Sequence, residues 1–259
     1  MRNIIILIAA CTLMAACNNG ATKSGGEETT TTIALSGTYR SIDVSNAFRV
    51  VMSDTATVPT LTIGQRLRDI VDIHIEDRTL KIGLKRGHIN IKEGGLVVLP
   101  YNDQLRSVEL SSASSFSSNR PMGTDLAKVE LSGASHYNGD LSAGTVELDL
   151  SGASDFSGSV DAGDIDLELS GASHATISGT CSHEMELDIS GASSLSAHNL
   201  DATRVRGEMS GASKADITLC DELRMDVAGA SHLTYRLMAD GCSPDVRVNT
   251  TGSSTVRER

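Results

Sequence analysis

Three pairs of acidic residues recur about 20 residues apart in the middle of the chain, and these carboxylates are the side chains best placed to do chemistry. The pairs are Glu147 and Asp149, Asp166 and Glu168, and Glu186 and Asp188. We call these six residues the carboxylate patch, because a regular repeat would stack them in two columns with no evident base among them. Carboxylate oxygens bind Ca²⁺ and attract basic partners. The patch is a candidate site for a cation or a cationic partner, with a plain solvated face as the alternative.

No other residue type forms a constellation that predicts catalysis. His136, Asp155 and His174 share one repeat position, but the two imidazoles lie two repeats apart, so we predict an Asp–His ladder and no metal site. No Ser–His–Asp order, phosphate-binding loop or catalytic carboxylate pair stands out. Aromatic residues make up only 3% of the chain, so stacking platforms for sugar rings are scarce. We therefore predict no catalytic residues and no cofactor, and keep a carbohydrate-active β-helix enzyme as the less favoured alternative.

A four-residue turn sets the spacing of the acidic pairs. Five copies read Ser-Gly-Ala-Ser, beginning at Ser132, Ser151, Ser170, Ser190 and Ser210, and related copies begin at Ser111, Ala228 and Thr251. A period near 20 residues is typical of solenoids, in which each repeat buries its apolar side against its neighbours. Alternation such as Leu148-Asp149-Leu150 before each turn indicates a strand with one buried face. We therefore predict an all-β fold, a single-stranded, parallel, right-handed β-helix with coils of about 20 residues.

Each position of the turn has a predicted role. The glycine should mark a corner that needs positive φ or a close backbone approach. Two columns are predicted to face inward: Ala134, Ala153, Ala172, Ala192 and Ala212 in one, and Leu131, Leu150, Leu169, Ile189 and Met209 in the other. The flanking serines should hydrogen-bond from coil to coil. The alternative for these serines is a flat hydroxyl surface that binds ice or carbohydrate.

The region before the regular repeats is also rich in strand patterns but lacks the turn. Residues 33–106 contain short alternating segments such as Val71-Asp72-Ile73-His74-Ile75. An open solenoid end is an exposed sheet edge and needs a cap. We therefore predict that residues 33–106 form irregular first coils and a cap, continuous with the regular coils of residues 107–259 in one domain.

The start of the chain predicts export and lipidation. Residues 4–10 are apolar, and small residues stand directly before Cys17, as in a bacterial lipobox. We predict a signal peptide at 1–16, a lipidated Cys17 and a flexible tether at 17–32, which would anchor the protein to the outer membrane, on the cell surface or the periplasmic side. The formal net charge of −11 argues against binding to nucleic acid.

Cys11 lies in the predicted signal peptide and Cys17 is the predicted lipidation site. Export would place the other three cysteines in an oxidising compartment. Cys181 and Cys220 would lie two coils apart, about 9.6 Å at the usual strand spacing, which is too far for a disulfide. Cys220 and Cys242 are 22 residues apart, about one coil. The sequence therefore indicates Cys220–Cys242 as the candidate disulfide, which would help to hold the C-terminal end.

The order of motifs resembles one known family. The motifs are Tyr39-x-x-Ile42-x-Val44, Phe48-Arg49-Val50, Leu80-Lys81-Ile82, Val97-Val98-Leu99-Pro100 and the repeated Leu-Ser-Gly-Ala-Ser turns. This order, over residues 38–252, resembles the head GIN domain family of adhesin-type proteins, common among Bacteroidetes lipoproteins. The resemblance implies a β-helical fold, export and no catalytic residues.

From these features we expect a non-enzymatic envelope or cell-surface lipoprotein with a β-helical recognition surface. A periplasmic structural or sensing lipoprotein is the alternative. The expected partners are the membrane through the lipid anchor, a host protein or glycan, Ca²⁺ at the surface, and a second copy of the chain in a homo-oligomer.

Overall fold

The computed structural model describes residues 27–85, 94–238 and 242–259. The predicted signal peptide (1–16), Cys17 and residues 18–26 of the predicted tether lie outside the described residues. In the first part the strands are β1 (Glu28–Thr32), β2 (Ser41–Val44), β3 (Arg49–Ser53), β4 (Thr60–Gly64), β5 (Val71–Glu76), β6 (Thr79–Leu84) and β7 (Leu96–Pro100). One 3₁₀ turn, Arg68–Ile70, precedes β5.

The regular part contains longer strands that bend around the coil. These are β8 (Ser107–Leu110), β9 (Ser115–Ser118), β10 (Leu126–Leu131), β11 (His136–Asn138), β12 (Leu141–Leu150), β13 (Asp155–Leu169), β14 (His174–Ile189), β15 (Ser194–Met209), β16 (Lys214–Val227), β17 (His232–Leu237), β18 (Asp245–Thr250) and β19 (Thr255–Glu258). Successive coils pair in parallel, so that Leu150 lies opposite Leu131 and Leu169. The result is a β-solenoid of about seven turns, which confirms the predicted parallel β-helical fold.

Apolar side chains fill the interior of the coils in stacked columns. Leu131, Leu150, Leu169, Ile189 and Met209 are at most 1% exposed, as predicted for the second inward column. On the strands that follow the turns, Phe116, Tyr137 and Phe156 stack inside the coil with ring centroids 5.3 and 5.2 Å apart. The parallel register stacks Leu150 on Leu169, whereas Phe156 is followed in the next coil by the smaller Ala175.

The predicted inward alanine column is wrong. Ala134, Ala153, Ala172, Ala192 and Ala212 are exposed, and the serine that follows each of them is buried instead. The reason is the turn glycine, whose positive φ redirects the chain so that the next residue points outward and the one after it inward. In the third regular turn, for example, Ala172 faces solvent while Ser173 is fully buried.

The buried serines are tolerated inside because their hydroxyl groups are hydrogen-bonded. The hydroxyl of Ser173 donates to the carbonyl of Ser170 at 2.9 Å, which closes the turn, and lies 3.2 Å from the carbonyl of Leu150 in the preceding coil. Ser173 and Ser193 are also within hydrogen-bonding distance of each other, at 3.3 Å. A buried hydroxyl with these partners avoids the desolvation cost of an unpaired one. The predicted coil-to-coil serine bonds are therefore present, on the inner side of the corner.

The turn glycines meet both predicted requirements. Gly133, Gly152, Gly171, Gly191, Gly211, Gly229 and Gly252 have φ between +73° and +77°. They also stack on one another: a Cβ placed on Gly171 would lie 2.6 Å from the carbonyl oxygen of Gly152. That carbonyl accepts a hydrogen bond from the N–H of Ala172 at 2.7 Å. The corner thus needs glycine for its conformation and for the closeness of the next coil.

The first coils do not follow chain order. Strand β2 lies in parallel between β6 and β8, and β3 lies in parallel between β7 and β9. Outside them, β5 pairs antiparallel with β6, β4 with β7, and β1 with β4. Antiparallel strands cannot continue the parallel coil, so they cap this end.

The predicted tether at 17–32 extends too far, because its last five residues belong to a strand of the cap. Residues 28–32 form β1, paired with β4 of the cap, and are not a free linker. Four consecutive threonines, which favour strands, explain this pairing.

The C-terminal end contains a disulfide between Cys220 and Cys242, whose Cα atoms are 4.9 Å apart. The disulfide joins the middle of β16, where Cys220 lies, to the segment before β18, where Cys242 lies. Cys181 is a free, buried thiol. Among the described residues, no helix is both long and apolar enough to cross a membrane.

Replacing a turn glycine should destabilise the whole solenoid. We expect Gly171→Ala to lower the free energy of unfolding by about 2 kcal/mol or more, because alanine is strained at positive φ and its Cβ would clash with Gly152. Denaturant unfolding followed by circular dichroism measures the effect. Ala172→Ser, at the exposed neighbouring position, is the control and should change stability little. Equal stability of the two variants would contradict this account of the corner.

Breaking the disulfide should loosen the last coil. A loop of 22 residues predicts that Cys220→Ser with Cys242→Ser loses about 3 kcal/mol of stabilisation. Amide hydrogen exchange in β18 and β19 should then become about 100-fold faster. Cys181→Ala leaves the disulfide intact and should leave exchange in these strands unchanged. If the double variant exchanges like the parent chain, the disulfide does not hold this end.

Candidate functional site

The structure brings the carboxylate patch together on one face of the solenoid. This face is formed by the strand segments that precede the turns. Glu147, Asp166 and Glu186 lie opposite one another in one outward column, and Asp149, Glu168 and Asp188 lie in the next. The six carboxylates therefore cover three consecutive coils. Their strands are held in register by the apolar residues between them, which point into the core.

Basic residues contact the two ends of the patch, where the repeat period continues the column of Glu147, Asp166 and Glu186 into Lys128 and Arg206. Lys128 Nζ lies 3.0 Å from Glu130 and 3.5 Å from Glu147. Arg206 lies 2.8 Å from Glu186 and 3.1 Å from Glu184. Glu147 and Glu186 are therefore ion-paired with bases of the flanking coils, although no base lies among the six carboxylates themselves.

The centre of the patch has no such compensation. In the part of the chain that the structure describes, Asp149, Asp166, Glu168 and Asp188 have no ion pair. The pKa of Asp166 is raised by the little burial it has and then by the neighbouring charges of Glu186 and Glu147, with Arg206 opposing. The negative charges of the patch therefore repel one another.

The negative column extends towards the cap through a residue that sequence reasoning missed. Asp43 lies between Lys81 and Glu109 in register, although it is far from Glu109 in the chain. Burial, followed by the charges of Asp43 and Glu130, raises the pKa of Glu109. The repeat period gave no signal for Asp43, because β2 lacks the turn motif and is inserted out of chain order.

The geometry suits an extended cationic partner better than one chelated ion. Among the described residues, no group of three or more His, Cys, Asp or Glu side chains is arranged to hold a metal ion. Parallel strands keep neighbouring carboxylates about 4.8 Å apart and pointing the same way, so the oxygens do not converge. A surface of this kind attracts positive charge spread over several coils.

The imidazoles form contacts that do not build a catalytic relay. His136 and His174 flank Asp155 at 3.5 and 3.8 Å, as predicted for an Asp–His ladder. On the same side, Ser196 lies 3.2 Å and Asp216 3.8 Å from His198. Both contacts reach the same ring nitrogen, Nδ1, so the imidazole cannot pass a proton from the serine towards the carboxylate. The sequence did not reveal this second cluster, because His198 lies at an irregularity in the pairing of β15 that the repeat period does not show.

Neutralising the centre of the patch should stabilise the protein. A raised folded-state pKa means that the folded chain binds the Asp166 proton more tightly than the unfolded chain, so stability falls as the pH rises from 3.8 through the folded-state value. We expect Asp166→Asn to gain a few tenths to about 1 kcal/mol at neutral pH and low salt. The gain should vanish near pH 3 and shrink with added salt.

Thermal unfolding at several pH values checks this prediction. The matched control is Asp245→Asn, because Asp245 is exposed on the same face but is ion-paired with Arg247 at 2.7 Å. That variant should show no gain at neutral pH. A gain of equal size in both variants would mean that repulsion within the patch is not the cause.

Comparison with known proteins places the chain in a family. The family model described as "Putative auto-transporter adhesin, head GIN domain" matches residues 38–236. A search of curated proteins finds no match. The structure resembles a putative adhesin from Parabacteroides merdae, with 20% identity, a TM-score of 0.76 and coverage of 91% of this chain and 97% of the other.

Two structures from Parabacteroides distasonis are similar to the same degree. A putative adhesin has 21% identity, a TM-score of 0.80 and coverage of 90% of this chain and 98% of the other. A putative lipid binding protein has 17% identity, a TM-score of 0.77 and coverage of 91% and 98%. At these identities the structures support the fold alone. Since the family model spans more than half of the sequence, the chain belongs to the head GIN domain family.

Proposed function

We propose that the protein is a non-enzymatic cell-surface lipoprotein whose solenoid presents a recognition face to a partner, in the manner of an adhesin. One observation carries this proposal: the carboxylate patch is an outward-facing array of acidic side chains over three coils, held in register by a parallel sheet, and its four central carboxylates have no ion pair among the described residues. Such an array recognises a surface and has no enclosed volume in which to process a substrate. The adhesin description of the family supports the same role.

The partner that fits the patch is a basic protein surface. Lys128 and Arg206 bound the patch at its two ends, so a partner aligned with the centre gains attraction without displacing an existing ion pair. Exposed charges of this kind raise the rate of encounter and set orientation more than they add affinity. Ca²⁺ would act on this face as a loosely held counterion, because the carboxylates do not converge.

An enzymatic role has less support. The coils of the regular part have nearly equal lengths, and they carry no long insertions that would wall a cleft. The Ser196–His198–Asp216 cluster lacks the geometry of a proton relay. A carbohydrate-active enzyme would need a groove with converging acid and base groups.

The anchor in this proposal is a lipid on Cys17. A short linker up to residue 27 would connect the lipid to β1, which is already part of the cap. The N-terminal cap would therefore be the end of the solenoid nearest the anchor, with the recognition face on the coils beyond it. A periplasmic structural or sensing role is the alternative if the domain faces inward.

Protease treatment of intact cells tests the proposal. We expect protease to remove the domain from intact cells and Cys17→Ala to release the protein from the membrane fraction. Cys181→Ala is the control and should stay membrane-bound and accessible. Complete protection in intact cells, with digestion only after lysis, would overturn the surface role and favour the periplasmic alternative.

A further inference from the structure

We propose that a polar depression on the strand segments that follow the turns binds uncharged glycans. This inference rests on the proposed recognition role and names a ligand class for a second surface. The depression has a volume of about 350 Å³, and Ser157, Thr176, Ser196, His198, Asn199 and Asp140 contribute to its lining. We call it the hydroxyl depression. Its size lies at the lower end of the range for small-ligand sites, enough for one or two sugar rings.

Irregular pairing in β15 shapes this depression. Thr176 pairs with Ser196, but Ser178 pairs with Asn199, so β15 contains one additional residue against β14. On its other side, Ala197 pairs with Ile217 and Asp201 with Thr218, so three residues of β15 are unpaired against β16. Bulges of this kind re-aim side chains and are frequent beside functional sites. Here the bulge places His198 and Asn199 as one wall of the depression.

Hydrogen bonds hold both walls in place. The carbonyl of His198 accepts a hydrogen bond from Thr218 at 2.9 Å, and Asp216, which lies beside the imidazole, contacts Arg236 at 3.1 Å. On the opposite wall, Asp140 accepts the N–H of Ser159 at 2.9 Å. A site with fixed walls loses little conformational entropy on binding.

Several polar groups in the depression are available to a ligand. Within the described residues, the side chains of Ser157, Thr176 and Asn199 have no hydrogen-bond partner. Hydroxyl and carboxamide groups both donate and accept, which matches adjacent hydroxyls of a sugar ring.

Charge selects an uncharged ligand. No lysine or arginine lines the depression, so an anionic group would meet Asp140 without a counter-charge. A cation has a stronger attraction to the carboxylate patch, on the strand segments that precede the turns. A few net hydrogen bonds without an aromatic platform predict a Kd on the order of 1 mM for a single site. Many copies on one surface would raise the effective affinity through multivalency.

A glycan microarray tests the proposal. The full-length chain, biotinylated and tetramerised on streptavidin, is applied to neutral, sialylated and sulfated oligosaccharides. We expect signal on a subset of the neutral glycans, reduced at least 10-fold by Thr176→Arg, which fills the depression. Asn199→Ala should reduce it about 3- to 10-fold through lost hydrogen bonds.

Thr180→Arg is the matched control, because Thr180 is exposed on the same strand and lies outside the depression. It should leave binding unchanged, and thermal unfolding checks that each variant is folded. No signal on neutral glycans, binding only to charged glycans, or equal binding by Thr176→Arg and Thr180→Arg would each overturn the proposal.

The outcome is separable from that of the proposed surface role. If the domain is surface-exposed and binds cells equally well with Thr176→Arg, the glycan site is wrong and the recognition role stands. If the domain is protected in intact cells, the surface role is wrong, while the array still measures glycan binding by the purified chain.

Discussion

The stacked glycine corner is the constraint on which the rest of the structure depends. At each regular turn, the carbonyl of one glycine accepts a hydrogen bond from the alanine of the next coil, at 2.7 or 2.8 Å in the regular turns. This contact fixes where each coil turns and therefore keeps all coils in one phase. Every outward column, including the carboxylate patch, follows from that shared phase. A small error at the corner would rotate the strands and disperse the charges of the face.

The sequence predicted the parts of the structure that depend on periodicity. The phase of the repeat was enough to place Asp149 opposite Glu168, because a parallel register pairs equivalent positions. It was not enough to decide which residue of the turn faces inward. Ala172 is apolar and Ser173 polar, so hydropathy favours the wrong one, and only the turn geometry and the carbonyl groups nearby reverse the choice.

Features that break the period were beyond prediction. Asp43 joins the acidic column because β2 is inserted between two strands that come later in the chain. The bulge at His198 and Asn199 depends on small differences in coil length that a period averages away. The acidic column and the hydroxyl depression therefore each combine a regular part, which the sequence reveals, with an irregular part, which only the fold reveals.

The insertion of β2 and β3 between later strands has a consequence for how the chain acquires its structure. This first coil cannot complete its hydrogen bonds until β6 to β9 have been made, 38 to 66 residues further on in the paired positions. The contacts are of high sequence separation, which slows folding. During synthesis, the backbone groups at the edges of β2 and β3 would remain unpaired until these later strands are made. The later coils, each needing only its predecessor, would then add one by one, so assembly has a direction.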